Sequence, residues 1–167
     1  MGKFLTTASR IEQQGRRKYK LLDNELYQDD DGSIYLAWRN YVTDNFTWIN
    51  SNEYDIRCSH VHDVGCQYKV VVRVKLTEKL LRSFKYLKVK NDKIICDNIP
   101  KGFLEIVPVS GTWINNLFYR MLRDADTPPT PKAIQLLYRA GVSFNFKWFL
   151  PRKRELTLDE VYQEWKK

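Results

Sequence analysis

The run Asp29-Asp30-Asp31-Gly32 lies between two alternating, aromatic-rich stretches, Tyr19 to Tyr27 and Ser33 to Val42, and constrains the fold more than any other feature. An Asp-Gly step accepts the left-handed backbone that a tight reversal needs. Aromatic and β-branched residues at period two favour strands, so the stretch predicts a β-hairpin. A second reversal, Asn91-Asp92, joins brief strand candidates at 86–90 and 93–96, and Phe103 to Val109 is a further strand candidate.

Helices are marked by their caps. Ser51 or Asn52, followed by Glu53 and Asp55, predicts a helix start with acids in its first turn. That helix runs from about 53 to 69, with Gly65 as a tolerated flaw. A short helix is expected over Thr77 to Phe84. A longer one begins near Ser110 or Thr112 and reaches about Ala125, stopped by Pro128-Pro129. Thr130 is placed to cap the next, with Pro131 in its first turn, running to about 147. Thr157 and Glu160 form a capping box for a last helix ending at Trp165. The total is an α+β, helix-rich single domain with small antiparallel β-hairpins. Its expected parts are a basic N-terminal arm (1–18), the α+β domain (19–150), and a C-terminal basic linker and helix (151–167). The first twenty residues lack periodicity and carry Arg10, Arg16, Arg17, Lys18 and Lys20. They read as a mobile arm, ordered only by a partner.

An excess of 28 Lys and Arg over 20 Asp and Glu gives a net charge of +8. Such a charge attracts nucleic acid, anionic lipid or an acidic protein surface without choosing among them. Five Trp, ten Tyr and eight Phe exceed what a core of this size readily hides, which points to a contact surface. Arg16, Arg17 and Lys18, together with Lys147, Trp148, Arg152, Lys153 and Arg154, are the candidate partner- or anion-binding residues, because rings interleaved with cations suit stacking and phosphate contact. The plainer alternative has Trp148 and Phe149 ending a helix in the core while the cations solvate its exit loop. A phage or host protein is the expected partner, and nucleic acid is a further candidate.

No apolar run approaches the ~20 residues of a membrane span, and no signal peptide opens the sequence. Cys58, Cys66 and Cys96 cannot all pair, which suits reduced thiols in a cytosolic setting. Met1-Gly2-Lys3-Phe4-Leu5-Thr6 fits the short pattern for N-terminal myristoylation. No P-loop, Rossmann fingerprint, serine elbow or EF-hand loop is present, which disfavours nucleotide hydrolysis and serine-esterase chemistry.

Both histidines and two of the three cysteines fall within Asp55 to Tyr68. On a helix Cys58, His62 and Cys66 share one face at i, i+4 and i+8. Cys58 and Cys66 would then be ~12 Å apart along the axis, too far for one zinc ion. No metal or cofactor is therefore implied. His60 points about 200° away from His62 around the helix, so the two are not partners. His62 is a candidate general base, oriented by a carboxylate or amide from another helix. Asp63 projects about 100° further round and better suits a cation. In the alternative, His62 packs on the buried face with satisfied nitrogens, and Asp63 is solvated or ion-paired.

Two resemblances attach to these residues. Arg57-Cys58-Ser59-His60-Val61-His62-Asp63-Val64-Gly65-Cys66 resembles the catalytic helix of secreted calcium-dependent phospholipases, which implies His62 activating water and Asp63 holding calcium. The chain departs from that family in having no glycine between Thr43 and Asn52 and too few cysteines for its disulfide framework. The broader resemblance covers roughly residues 34–149. Thr43-Asp44-Asn45-Phe46-Thr47, His62-Asp63 and Asn115-Asn116-Leu117-Phe118-Tyr119, with the helix from Ala133 to Trp148, are similar in order and spacing to a family of small tailed-phage proteins of unknown function. That resemblance implies that Asp44, Thr47, His62, Asp63 and Asn115 meet as a site. Thr47 keeps the hydroxyl of the family's usual Ser. Asn115 replaces its usual Asp and removes the carboxylate that could stabilise an imidazolium.

The expectation is a phage-encoded binding or structural protein, packed into a virion assembly or engaging a host macromolecule, and located in the virion or the host cytoplasm. The competing expectation is a hydrolase with His62 as base, acting on an ester or on cell-wall material.

Overall fold

The structure, a computed structural model, describes residues 1–7, 10–15, 18–43, 57–83, 87–90, 93–95, 99–125, 130–148 and 155–166, with the backbone alone at 95, 142–148 and 166. Its strands are β1 (Lys3–Phe4), β2 (Ile11–Gly15), β3 (Lys18–Leu21), β4 (Glu25–Gln28), β5 (Ile34–Ala37), β6 (Val42–Thr43), β7 (Val70–Val74), β8 (Lys88–Lys90), β9 (Lys93–Ile95) and β10 (Leu104–Pro108). Its helices are α1 (Arg57–Tyr68), α2 (Glu78–Arg82), α3 (Gly111–Arg123), α4 (Lys132–Trp148) and α5 (Leu158–Lys166). The fold is α+β, with five helices beside antiparallel sheets.

The predicted hairpin is the centre of the molecule. β4 pairs with β5 from Glu25 opposite Ala37 to Gln28 opposite Ile34. Asp29 N–H donates to the Ser33 carbonyl at 2.9 Å and Gly32 N–H to the Asp29 carbonyl at 3.0 Å. Gly32 takes φ +84°, the left-handed residue that closes a three-residue loop. The main sheet runs β1-β4-β5-β7-β10, antiparallel throughout.

Period two sorts its side chains into two cores. Tyr27, Tyr35, Ala37 and Val71 join α1, α3 and α4 on one face. Leu26, Ile34, Leu36, Val72 and Val74 join Leu81 of α2, Ile94 of β9 and Val161 and Trp165 of α5 on the other. Ile114, Leu117, Phe118, Met121 and Leu122 form one buried stripe of α3, the spacing of a helix with a single core-facing side.

Several predicted caps are present. Thr77 accepts from Leu80 N–H at 3.3 Å and Ser110 from Trp113 N–H at 3.2 Å. In the capping box Thr157 accepts from Glu160 N–H at 3.2 Å, while the Glu160 carboxylate accepts from Thr157 N–H at 3.0 Å. Thr130 does not cap α4. Its hydroxyl is buried without a hydrogen-bond partner among the described residues, and its carbonyl accepts from Gln135 Nε2 at 2.7 Å. The expected helix start at Ser51 to Glu53 lies outside the described residues.

The described N-terminal residues form two strands, β1 and β2, paired within the chain. Lys3 and Phe4 pair with Gln28 and Tyr27, and β2 pairs with β3, which pairs with β6. Gly2, Phe4, Leu5 and Thr6 are buried against the chain itself. The C-terminal helix also belongs to the core: Trp38 donates to Glu164 at 2.8 Å and Tyr162 to the Ile99 carbonyl at 2.7 Å. Val70–Val74 is a main-sheet strand that the sequence reading left unassigned.

Candidate functional site

Helix α1 has nine buried residues, Arg57 to His62 and Val64 to Cys66. It lies between the main sheet and α3, so its polar side chains must find partners on other elements. His62 finds several. Its Nε2 faces Asn115 Oδ1 of α3 at 3.0 Å and its Nδ1 faces Asp63 Oδ1 at 3.6 Å. The Cys66 sulfur, one turn on, is 3.4 Å from Nε2 and 3.8 Å from Nδ1. Phe118, one turn beyond Asn115, lies against the imidazole with ring centroids 4.6 Å apart. Thr43, at the end of β6, donates a short hydrogen bond to the other Asp63 oxygen.

Segments distant in sequence therefore meet at His62. Thr43 of the Thr-Asp segment, the His62-Asp63 pair, and Asn115 with Phe118 converge from β6, α1 and α3. Asn116, beside Asn115, is exposed. Asp44 and Thr47 lie outside the described residues, as do Arg16, Arg17, Arg152, Lys153 and Arg154. The side chains of Lys147 and Trp148 are likewise not described, and Lys18 is exposed in β3. Asp63 faces Thr43 through one carboxylate oxygen and the His62 ring through the other.

Burial opposes a charged His62, but the Cys66 sulfur and the Asp63 carboxylate favour one more strongly and raise the ring to about 10. The geometry agrees, since carbonyl and carboxylate oxygens both accept and each faces one ring nitrogen. Asn115 Oδ1 can only accept, so the Nε2 facing it carries a proton and offers no lone pair to a substrate. A groove of about 300 Å³ lies elsewhere, between the end of β10 and the start of α3, with Tyr35, Arg73, Pro108, Ser110 and Trp113 among its walls. None of the His62 cluster lines it.

A second polar cluster was not anticipated from sequence. His60 Nδ1 lies 2.7 Å from Glu25 Oε2 of β4, with both side chains sealed from solvent. Arg57, also buried, donates to the Thr6 carbonyl at 2.9 Å and sits 4.2 Å above the Phe4 ring. One sequence signal was available: at period two Glu25 shares the face of the aromatic Tyr27.

Among the described residues no group of His, Cys, Asp and Glu side chains is arranged to hold a metal ion, and no helix is long and apolar enough to cross a membrane. Set against family models, curated proteins and solved structures, the chain matches none.

Proposed function

We propose that this chain is a binding or structural protein of the tailed-phage type, packed into a virion assembly or engaging a host macromolecule, whose His-Asp segment ties elements together rather than turning over a substrate. One observation carries the reading: buried His62 joins α1 to α3 through its Nε2, 3.0 Å from Asn115 Oδ1, and none of its cluster lines the groove. The phage assignment rests on the order and spacing of the Thr-Asp, His-Asp and Asn-x-x-Phe segments, and their meeting at His62 supports it. Location in the virion or host cytoplasm follows from the same reading, and a phage or host protein is the expected partner.

The test combines capture and turnover. Affinity capture from expressing or infected cells, with and without nuclease, should return a stoichiometric protein partner. Purified chain, and an Asn115→Asp variant that restores a carboxylate beside His62, should leave ester and cell-wall substrates intact. Turnover that Asn115→Asp enhances and His62→Ala abolishes would overturn the reading in favour of a hydrolase.

A further inference from the structure

The groove away from the His62 cluster is floored by the main sheet. Tyr35 of β5 stands opposite Arg73 of β7, and Arg73 opposite Glu105 of β10, so the three side chains project from one face. Val107, two residues past Glu105, shares that face. The loop carrying Asp31 and Ser33 and the start of α3, with Ser110 and Trp113, wall the groove. The Trp113 ring meets the Tyr35 ring edge-on, with centroids 5.7 Å apart at 78°.

The charged groups of this groove are only partly used. Arg73 donates through Nε to the Glu105 carboxylate, and its two terminal nitrogens make no hydrogen bond among the described residues. Asp31 Oδ1 accepts from Ser33 N–H at 2.8 Å, while Oδ2 has no such donor among the described residues. Both charges reach the Tyr35 hydroxyl: burial raises it above its ordinary range, Asp31 adds to the rise, and Arg73 opposes it.

We infer that the groove binds a free apolar α-amino acid, with its carboxylate on Arg73, its ammonium at Asp31 and its side chain against Trp113, Val107 and Pro108. This site stands apart from the partner binding proposed above. The terminal N–H groups of a guanidinium form a fork that fits a carboxylate. Asp31 and Glu105 outnumber Arg73, however, so the surroundings are net negative and disfavour phosphate or any ligand carrying negative charge alone. A ligand that brings its own cation answers Asp31 as well, and an α-amino acid carries both charges on one carbon. A volume of about 300 Å³ lies at the small end for ligand sites and suits a molecule of that size. The aromatic and aliphatic walls then call for an apolar side chain.

The test is an amide chemical-shift titration of the full chain with phenylalanine, hydrocinnamate (no ammonium) and phenethylamine (no carboxylate). Phenylalanine should bind with a Kd of about 1 mM or tighter, exceed both analogues, and shift the amides of Ser33, Val107, Val109 and Ser110. Serine, with both charges but no apolar side chain, should bind at least about threefold more weakly. Arg73→Gln should weaken phenylalanine and hydrocinnamate about tenfold and leave phenethylamine unchanged. Asp31→Asn, whose amide oxygen still accepts from Ser33, should weaken phenylalanine and phenethylamine about threefold and spare hydrocinnamate. The spared analogue in each variant reports that the groove is still folded. No phenylalanine binding up to about 10 mM, shifts confined to other residues, serine binding as tightly as phenylalanine, or equal losses for all ligands overturns the inference. Such a failure would leave partner capture, the test of the binding function, untouched.

Discussion

Gly65 lies directly against Ile114 where α1 meets α3, and replacing it with alanine tests how these helices pack. A Cβ at Gly65 would lie 2.4 Å from Ile114 Cγ1 and 2.5 Å from Cδ1. Ordinary carbon contacts fall near 3.5–4.0 Å, so the overlap is roughly 1 Å or more. Ile114 is fully buried and its Cγ1 is close to the backbone, so it cannot simply swing clear. Overpacking of this kind costs about 1–3 kcal/mol, against a helix-propensity gain of about 1 kcal/mol for replacing a mid-helix glycine. An overlap this deep belongs to the upper part of that range, about 2–3 kcal/mol, so Gly65→Ala should destabilise by about 1–2 kcal/mol, lowering a urea midpoint followed by circular dichroism by roughly 0.5–1 M. Ile114→Ala removes both clashing atoms and leaves Cβ, at 3.3 Å, as the nearest atom of that side chain. In that background Gly65→Ala should be neutral or stabilising by up to about 1 kcal/mol, a coupling of about 2 kcal/mol across the double-mutant cycle. A Gly65→Ala protein as stable as the wild type, or the same shift in both backgrounds, would refute close helix packing as the reason for glycine here.

Three further outcomes are expected. Gly2→Ala would put Cβ 2.4 Å from Tyr27 Oη, 2.6 Å from Asp124 Oδ2 and 2.7 Å from the Gln28 carbonyl, and should lower Tm by roughly 3–8 °C in a thermal melt. Glu25→Ala removes the carboxylate 2.7 Å from buried His60 and should cost about 3–5 kcal/mol in urea unfolding, with Glu25→Gln milder because its amide oxygen still accepts. His62 is raised from 6.5 to about 10 in the folded protein. The folded state then holds its proton more tightly than the unfolded state, so the stabilisation is complete below about pH 6.5 and is lost as pH rises through about 10. Urea midpoints across that window should fall more steeply for wild type than for His62→Gln, and parallel curves would contradict the assignment.

Local chemistry made much of this fold legible. The Asp-Gly loop, the Thr77, Ser110 and Thr157 caps, and the stripe on α3 all act within a few residues of themselves, so the sequence carries them openly. Val70–Val74 escaped because nothing separates it from α1. The helix passes into the strand through Lys69, a non-glycine residue at φ +61° whose N–H donates to the Gly65 carbonyl at 2.9 Å. The usual glycine signal for that left-handed position is missing. The first residues looked unstructured because most of β2 is exposed and shows no apolar alternation, although it pairs with β3. At the candidate site, helical spacing placed Cys66 beside His62, and the resemblance brought in Asn115. The Glu25–His60 pair joins residues 35 positions apart, a distance over which no local pattern reports.

The two histidines of α1 have opposed allegiances, His60 to the sheet through Glu25 and His62 to α3 through Asn115. Rolling the helix by even one residue would forfeit both attachments together and drive a side chain into Ile114 where Gly65 now lies, so polar bonds and steric fit dictate the same rotational setting. Exchanging both histidines should thus leave α1 held by packing alone.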